Sequence, residues 1–204
     1  RDFIVRQGHP RAEDFFADWI FTGGFPHIEL DSFRLEDENN NIYRFYFEVK
    51  SLGNNHSYAA LPTAIRVYMI DGSWADFSFW GQGPSFDNAF SLPNEPAFVV
   101  VNPENQICQA VLENQHLITA TGIQSFSDAG LSVTVNALGG DSALLRIEQH
   151  LVAPDPMQNN PNNFRLSQGR YWSVDGFIPN GFEATTTLFY DSRGDFPPDG
   201  NVAA

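Results

Sequence analysis

Five histidines, His9, His27, His56, His116 and His150, are the first residues to weigh for metal or acid–base chemistry. They are scattered, and no H-E-x-x-H or similar ligand spacing occurs. Glu148 and His150 stand two apart in a stretch that reads as a strand, so they point the same way and could hold two positions of a metal shell. No third ligand lies near them in sequence, and a solvated polar sheet face explains the pair as well. Asp37, Glu38 and Asn39 to Asn41 offer oxygen ligands, yet the alternating oxygens and the fixed bidentate Glu of a calcium loop are absent. A turn is the plainer reading there, with weak calcium binding left open. No G-x-S-x-G elbow and no glycine-rich phosphate loop before a helix occurs. Cys108 sits among Ile107, Ala110, Val111 and Leu112, the neighbourhood expected of a buried, inert thiol. Arg193-Gly194-Asp195 and the acceptor pattern Asn55-His56-Ser57 are too short to carry a function.

The densest aromatic group is Trp74, Phe77, Phe79 and Trp80, followed by Gly81-Gln82-Gly83. Exposed Trp and Phe on a β-sandwich can stack on sugar rings. Strand alternation puts Ala75, Phe77 and Phe79 on one face, and Trp74, Asp76, Ser78 and Trp80 on the other. Trp74 and Trp80 are therefore the candidates for a ligand platform, against the competing reading of core or interdomain packing.

Composition narrows the classes further. The 204 residues carry 11 Lys or Arg against 25 Asp or Glu, a formal net charge of −14. With pI near 4.5 and Lys50 as the single lysine, the basic stripe that nucleic acid needs is missing. Apolar residues make up 42% and aromatic residues 14%, enough for a packed core and contrary to disorder. No run approaches the roughly 18 apolar residues of a membrane span, so a soluble chain is expected. One cysteine excludes an internal disulfide and a cysteine-rich zinc module. The chain opens at Arg1 without a signal peptide, which reads as an excised piece of a longer protein or a processed chain. Its tail, Asp195 to Asn201, reads as a linker or a frayed end.

The elements that must position these residues follow from periodicity. From Pro10 to Phe21, Ala12, Phe15, Phe16, Trp19 and Ile20 recur at helical spacing, and Gly23-Gly24 with Pro26 end the helix. Its apolar stripe has little near it in sequence to pack on, so it rests on the following sheet or on a partner that has been removed. The period then becomes two: Phe45, Phe47 and Val49 alternate with polar residues across Ile42 to Lys50, Ile65, Val67 and Met69 repeat the pattern, and Ala97 to Val101 is wholly apolar. Asp37 to Asn41 and Asp71-Gly72 read as tight turns, and Gly81 to Pro96 as a longer loop. Leu131, Val133 and Val135, then Ala143, Leu145, Ile147 and Leu151, begin a second series. A turn at Gly139-Gly140-Asp141 separates them. Pro154 to Asn163 is a loop, and Tyr171 to Ile178 and Phe182 to Tyr190 are joined by Pro179-Asn180-Gly181. The expected fold is mostly β: two antiparallel β-sandwich, immunoglobulin-like modules preceded by one short helix, with boundaries at 1–25, 26–120 and 121–204. One continuous large sandwich is the alternative.

The segment Asp14-Phe15-Phe16-Ala17-Asp18-Trp19-Ile20-Phe21-Thr22-Gly23-Gly24-Phe25-Pro26 resembles the end of the catalytic domain in the aminopeptidase N family of zinc metallopeptidases. There a helix with a Phe-Phe-x-x-Trp pattern closes in a Gly-x-Pro turn before a β-sandwich. Leu92-Pro93 through Ala97 to Asn102-Pro103 and on to Ala110 is similar to the end of that sandwich, an apolar strand leading into an Asx-Pro turn. Leu166 to Pro179 resembles an immunoglobulin-like domain that follows such regions in secreted bacterial proteins.

What the resemblance implies is a non-catalytic C-terminal β-sandwich region of a secreted or cell-surface protein, with the periplasm as a further location. Its role would be structural, packing against the upstream catalytic domain through Phe15, Phe16 and Trp19. The family's zinc ligands and general base map onto no residue of this sequence, so no catalytic, cofactor or metal residue is assigned. Zinc is expected only in the absent catalytic domain. An isolated chain without peptidase activity follows. The family often ends in a helical domain, whereas this chain ends in β structure. From the residues alone, the alternative is a carbohydrate- or surface-binding module using Trp74 and Trp80.

Overall fold

A computed structural model describes residues 11–53, 55–157 and 166–189. Among the described residues the chain is mostly β, with four small antiparallel sheets and one short helix. It falls into two compact units, Arg1–Gln109 and Ala110–Ala204. The division precedes the expected 120/121 boundary because Val111–Ile118 pairs with Ala143–His150 and so belongs to the second unit. Residues 11–25 belong to the first unit.

In the first unit, helix α1 (Ala12–Trp19) precedes strands β1 (Phe25–Asp37), β2 (Ile42–Leu52), β3 (Leu61–Met69), β4 (Trp74–Gly81), β5 (Ser85–Ser91) and β6 (Pro96–Val101). One sheet runs β1-β2-β5 and the other β4-β3-β6. The hairpin β1–β2 turns at Asp37 to Asn41, as its composition requires: Asn41 takes a φ of 48°, and Asp37 accepts the Asn39 amide at 2.9 Å. Alternation sends Phe45, Phe47 and Val49 of β2 and Ile65 and Val67 of β3 into one core. Phe77 and Phe79 of β4 and Phe86 and Phe90 of β5 pack against it. Ring centroids lie 5.2 Å apart for Phe47–Phe86, 5.5 Å for Phe47–Phe79 and 4.2 Å for Phe77–Phe90. Aromatic side chains of both sheets thus interlock at distances that favour ring contact.

The second unit holds β7 (Val111–Ile118), β8 (Gly122–Phe126), β9 (Leu131–Ala137), β10 (Ala143–His150), β11 (Tyr171–Phe177) and β12 (Glu183–Leu188). Its sheets run β11-β10-β7 and β12-β9-β8. Leu131, Val133 and Val135 of β9 and Leu145 and Ile147 of β10 fill its core with Ile118, Phe126 and Ala129. The Pro179-Asn180-Gly181 turn does not close a hairpin, since β11 pairs with β10 and β12 with β9. It carries the chain from one sheet to the other. Gly139, at φ 71°, lies under this turn: a Cβ there would come within 2.3 Å of the Asn180 carbonyl oxygen.

Two expectations change, and the helix takes one of its two stated alternatives. Gly81 to Pro96 contains β5, whose pattern is diluted by Ser and Asn; only Phe86 and Phe90 mark the inward face, and they pair across to β2. Cys108 is exposed, because Ile107 and Ala110 on either side of it turn inward instead. The helix packs on its own unit. Arg193-Gly194-Asp195, the tail from Asp195, His9 and residues 158–163 of the Pro154 to Asn163 loop lie outside the described residues.

Candidate functional site

Helix α1 is assembled from weak local signals and held by strong tertiary ones. Glu13 and Asp14 in its first turn suit the positive end of the helix dipole, but no side chain caps it. Its end is tied by the Ile20 and Phe21 amides to the Phe16 carbonyl at 3.1 and 3.0 Å, and by the Thr22 hydroxyl to Ala17 at 2.7 Å. Gly24 then takes a φ of 87°, a left-handed turn that leads into β1.

The helix is fastened through Asp18, which is 5% exposed. Its Oδ2 accepts the Ala59 and Ala60 amides at 2.8 and 2.7 Å, and its Oδ1 lies 2.8 Å from His56 Nε2. The carboxylate is fully employed, which is how a buried acid avoids a large desolvation cost. Beside it the Trp19 indole N–H donates to the Ala60 carbonyl at 3.2 Å, and its ring lies 5.6 Å from Tyr58. His56 meets the same Tyr58 edge-on at 4.9 Å, and Arg11 donates to Ala59 at 2.8 Å. Asp18 and Trp19 therefore grip the 55–60 segment from two adjacent positions.

Of the three residues expected to pack on a neighbour, Trp19 is committed within the first unit and Phe16 is half-buried between Phe15 and Phe21, at 5.9 and 6.2 Å. Phe15 remains outward, and Ile20 and Phe21 join it at 57% and 64% exposure. Ile20 stands in the apolar stripe read from the sequence but was not assigned to packing, and Phe21 follows the regular part of the helix.

A second constellation lies on the outer face of β3 and β4. Trp74 and Trp80 are 59% and 50% exposed, on the face that alternation assigned to them. Across the strand pair, Tyr68 is opposite Trp74, Arg66 opposite Asp76, Ala64 opposite Ser78 and Pro62 opposite Trp80. At one end Trp74 lies 6.3 Å from Tyr68, which stacks on Phe98 at 4.6 Å. At the other, the Arg11 guanidinium stands 5.9 Å from the Trp80 ring. Between them Arg66 forks onto Asp76 at 2.7 and 2.9 Å and reaches Glu104 at 3.2 Å. The Arg66 hydrogen bonds hold the Asp76 carboxyl below its ordinary value, and Asp76 raises that of Arg66 in return.

In the second unit, Glu148 and His150 do share a face, together with Arg146. Arg146 is 2% exposed; its Nη2 reaches Glu113 at 3.0 Å and Glu148 at 2.5 Å, and Nη1 lies 3.5 Å from Asp175. His150 Nε2 lies 3.1 Å from the Ser173 hydroxyl, and its ring stacks on Tyr171 at 4.3 Å. Burial opposes the charge on Glu148, but His150 and Arg146 outweigh it and hold its carboxyl below the ordinary value. Glu148 is thus already paired with a buried guanidinium. Asp175 moves the other way, because burial outweighs Arg146 and pushes its carboxyl up.

Asp175 sets a pH test. A raised folded value means stability that is full below the unfolded value, about 3.9, and lost as pH rises through the folded value. Removing the acid in Asp175→Asn should flatten that loss, so the variant gains on wild type as pH rises from about 4 toward neutrality. Asp175 is 40% exposed, so solvent keeps the effect small. Urea midpoints of the second unit across that range check it, and parallel curves would contradict it.

The remaining candidates are spent locally. Asp37 bonds Asn39 and Asn40 of its own turn, and the Asn40 hydrogen bond chiefly pulls its carboxyl down. Lys50 sits on Glu29 at 3.0 and 2.9 Å, opposite His27, an arrangement that sequence reading overlooked. No protein-family profile, curated protein or solved structure matches this chain.

Proposed function

We propose that the chain is the non-catalytic β region of a secreted, bacterial, aminopeptidase-like zinc metallopeptidase, and that it serves to seat the catalytic domain. On this reading each unit is an antiparallel sandwich, the second immunoglobulin-like. The shared core beneath the two sheets of the first unit supports that arrangement. Zinc and the general base belong to the upstream domain, and this chain hydrolyses nothing alone.

One observation carries the reading. A helix whose Asp18 and Trp19 fix it to the first unit still turns Phe15, Ile20 and Phe21 outward. A helix pinned on one side and apolar on the other transmits position rigidly from one domain to the next, whereas a free linker would not. Contacts between domains of one chain commonly bury about 600–1,500 Å², and these three side chains would form the centre of such a patch. Among the described residues no helix is long and apolar enough to cross a membrane.

The test is association with the separately expressed upstream region, read by size-exclusion chromatography with light scattering. Wild type should form a one-to-one complex, and replacing Phe15, Ile20 and Phe21 together by Ser should weaken it by about tenfold or more while the chain stays folded. Absence of a complex with wild type would overturn the seating role.

A further inference from the structure

We propose that the outer face of β3–β4 binds an extended, uncharged polysaccharide chain, with Trp74 and Trp80 as the two stacking ends of one site. This binding function is separate from the seating role.

The argument starts from spacing. Trp74 and Trp80 stand on one strand and one face, so at about 3.3 Å per residue their Cα atoms are about 20 Å apart. A ligand that uses both rings must be straight over that length. The floor between them is built from small or planar groups. Ala64 and Ser78 face each other, and the Arg66–Asp76 pair lies beside them as a bidentate fork. Nothing bulky on β4 rises between the two indoles, because the intervening outward residues are Asp76 and Ser78.

Charge selects the class of ligand. Arg66 is the only basic residue of β3 and β4 themselves and is neutralised by Asp76 and Glu104, while Arg11, just ahead of α1, brings a second guanidinium to the Trp80 end. The chain as a whole carries −14, which repels polyanions. A polycation would have to displace Arg66 from Asp76. Hydroxyl groups, by contrast, can take the free lone pairs of Asp76 and the Ser78 hydroxyl without disturbing the ion pair. The C–H faces of sugar rings then lie on the indoles, which are large, flat and already exposed.

Each end is stiffened for the task. Tyr68 lies against Trp74 and itself stacks on Phe98 with an interplanar angle of 10°, and Arg66 stands 5.9 Å from the Trp74 ring. Arg11 stands over Trp80 while its Nη1 is anchored on Ala59. Aromatic rings held in place before binding lose little freedom when a ligand arrives.

The experiment is native affinity electrophoresis of the whole chain in gels containing hydroxyethyl cellulose, glucomannan or polygalacturonate. Fluorescence titrations with cellotetraose, mannotetraose and their disaccharides accompany it. The expected result is retardation by at least one neutral polymer, none by polygalacturonate, and quenching by a tetrasaccharide at a concentration about tenfold or more below that needed for its disaccharide. Trp74→Ala and Trp80→Ala should each weaken binding by about tenfold, since each removes one stacking end. Both side chains are outside the core, so circular dichroism should stay unchanged. Ser78→Tyr, which raises a ring in the floor between them, should abolish binding of the tetrasaccharide with both indoles intact. Indifference to every neutral polymer, retardation by polygalacturonate alone, or equal binding by the Trp74→Ala/Trp80→Ala double variant would each overturn the site.

Discussion

Arg146→Ala is expected to destabilise the second unit by about 3–5 kcal/mol at neutral pH. The side chain is almost fully buried and joins Glu113, Glu148 and Asp175 from the three strands β7, β10 and β11. Removing it leaves three carboxyl groups around a gap with no cation, so each must ionise against its neighbours or take up a proton. Arg146→Lys should recover only part of the loss, because a single ammonium cannot fork to three strands. The defect should shrink as pH falls and the carboxyls protonate. Glu148 moves with the same sign: its depressed folded value supplies stability above the unfolded value that is lost as pH falls through the folded one. Urea unfolding of wild type and variants at pH 7 and pH 4 checks this. A defect of equal size at both would show that lost packing, and not charge, is responsible.

Asp18→Ala is the second large effect, about 3 kcal/mol, and it falls on the first unit. The carboxylate satisfies the Ala59 and Ala60 amides and faces His56. Without it two backbone donors and an imidazole lose their acceptor in a place largely closed to water. Each such loss costs roughly 1–3 kcal/mol, and neighbouring losses are not additive. The helix should then fray while the two sheets stay paired, since the bonds of Trp19 to Ala60 and of Arg11 to Ala59 are weaker ties than the buried carboxylate. Hydrogen exchange reads this directly: the amides of α1 and of Ala59 and Ala60 should exchange faster, and those of β2 and β3 should not. Uniform acceleration through the unit would mean that Asp18 supports the whole core.

How much of this could be read from the sequence depends on the range of each signal. The strand faces of β2, β4 and β9 were legible because alternation is a property of consecutive residues, and Trp74 and Trp80 lie where that alternation puts them. The turn at Asn102-Pro103 was expected only through the family resemblance, though its bonds are also local. Asn102, at φ 55°, bonds Ile107 through both side-chain atoms and so closes its own loop. Strand β5 was not legible, since two phenylalanines in a polar stretch acquire meaning only from the Phe47 that Phe86 faces. The fate of the helix was also hidden. Asp18 sits among the residues that look like its wet face, and only the amides of Ala59 and Ala60, far along the chain, reveal that it points inward. Arg146, two residues from Glu148 on the same strand face, gives no local sign of its burial either. Buried charge is a pairing property, and pairing across strands is not written in local spacing.

The proposed seating role reduces to whether the outward side of α1 is covered in the parent protein that the proposal requires. Hydroxyl-radical footprinting of this chain alone and of the chain joined to that proposed catalytic domain, compared residue by residue, measures it. Phe15, Ile20 and Phe21 should lose most of their reactivity when the domain is present, while Trp74 and Trp80 keep theirs. Equal reactivity of Phe15, Ile20 and Phe21 in both would contradict the role assigned to this helix.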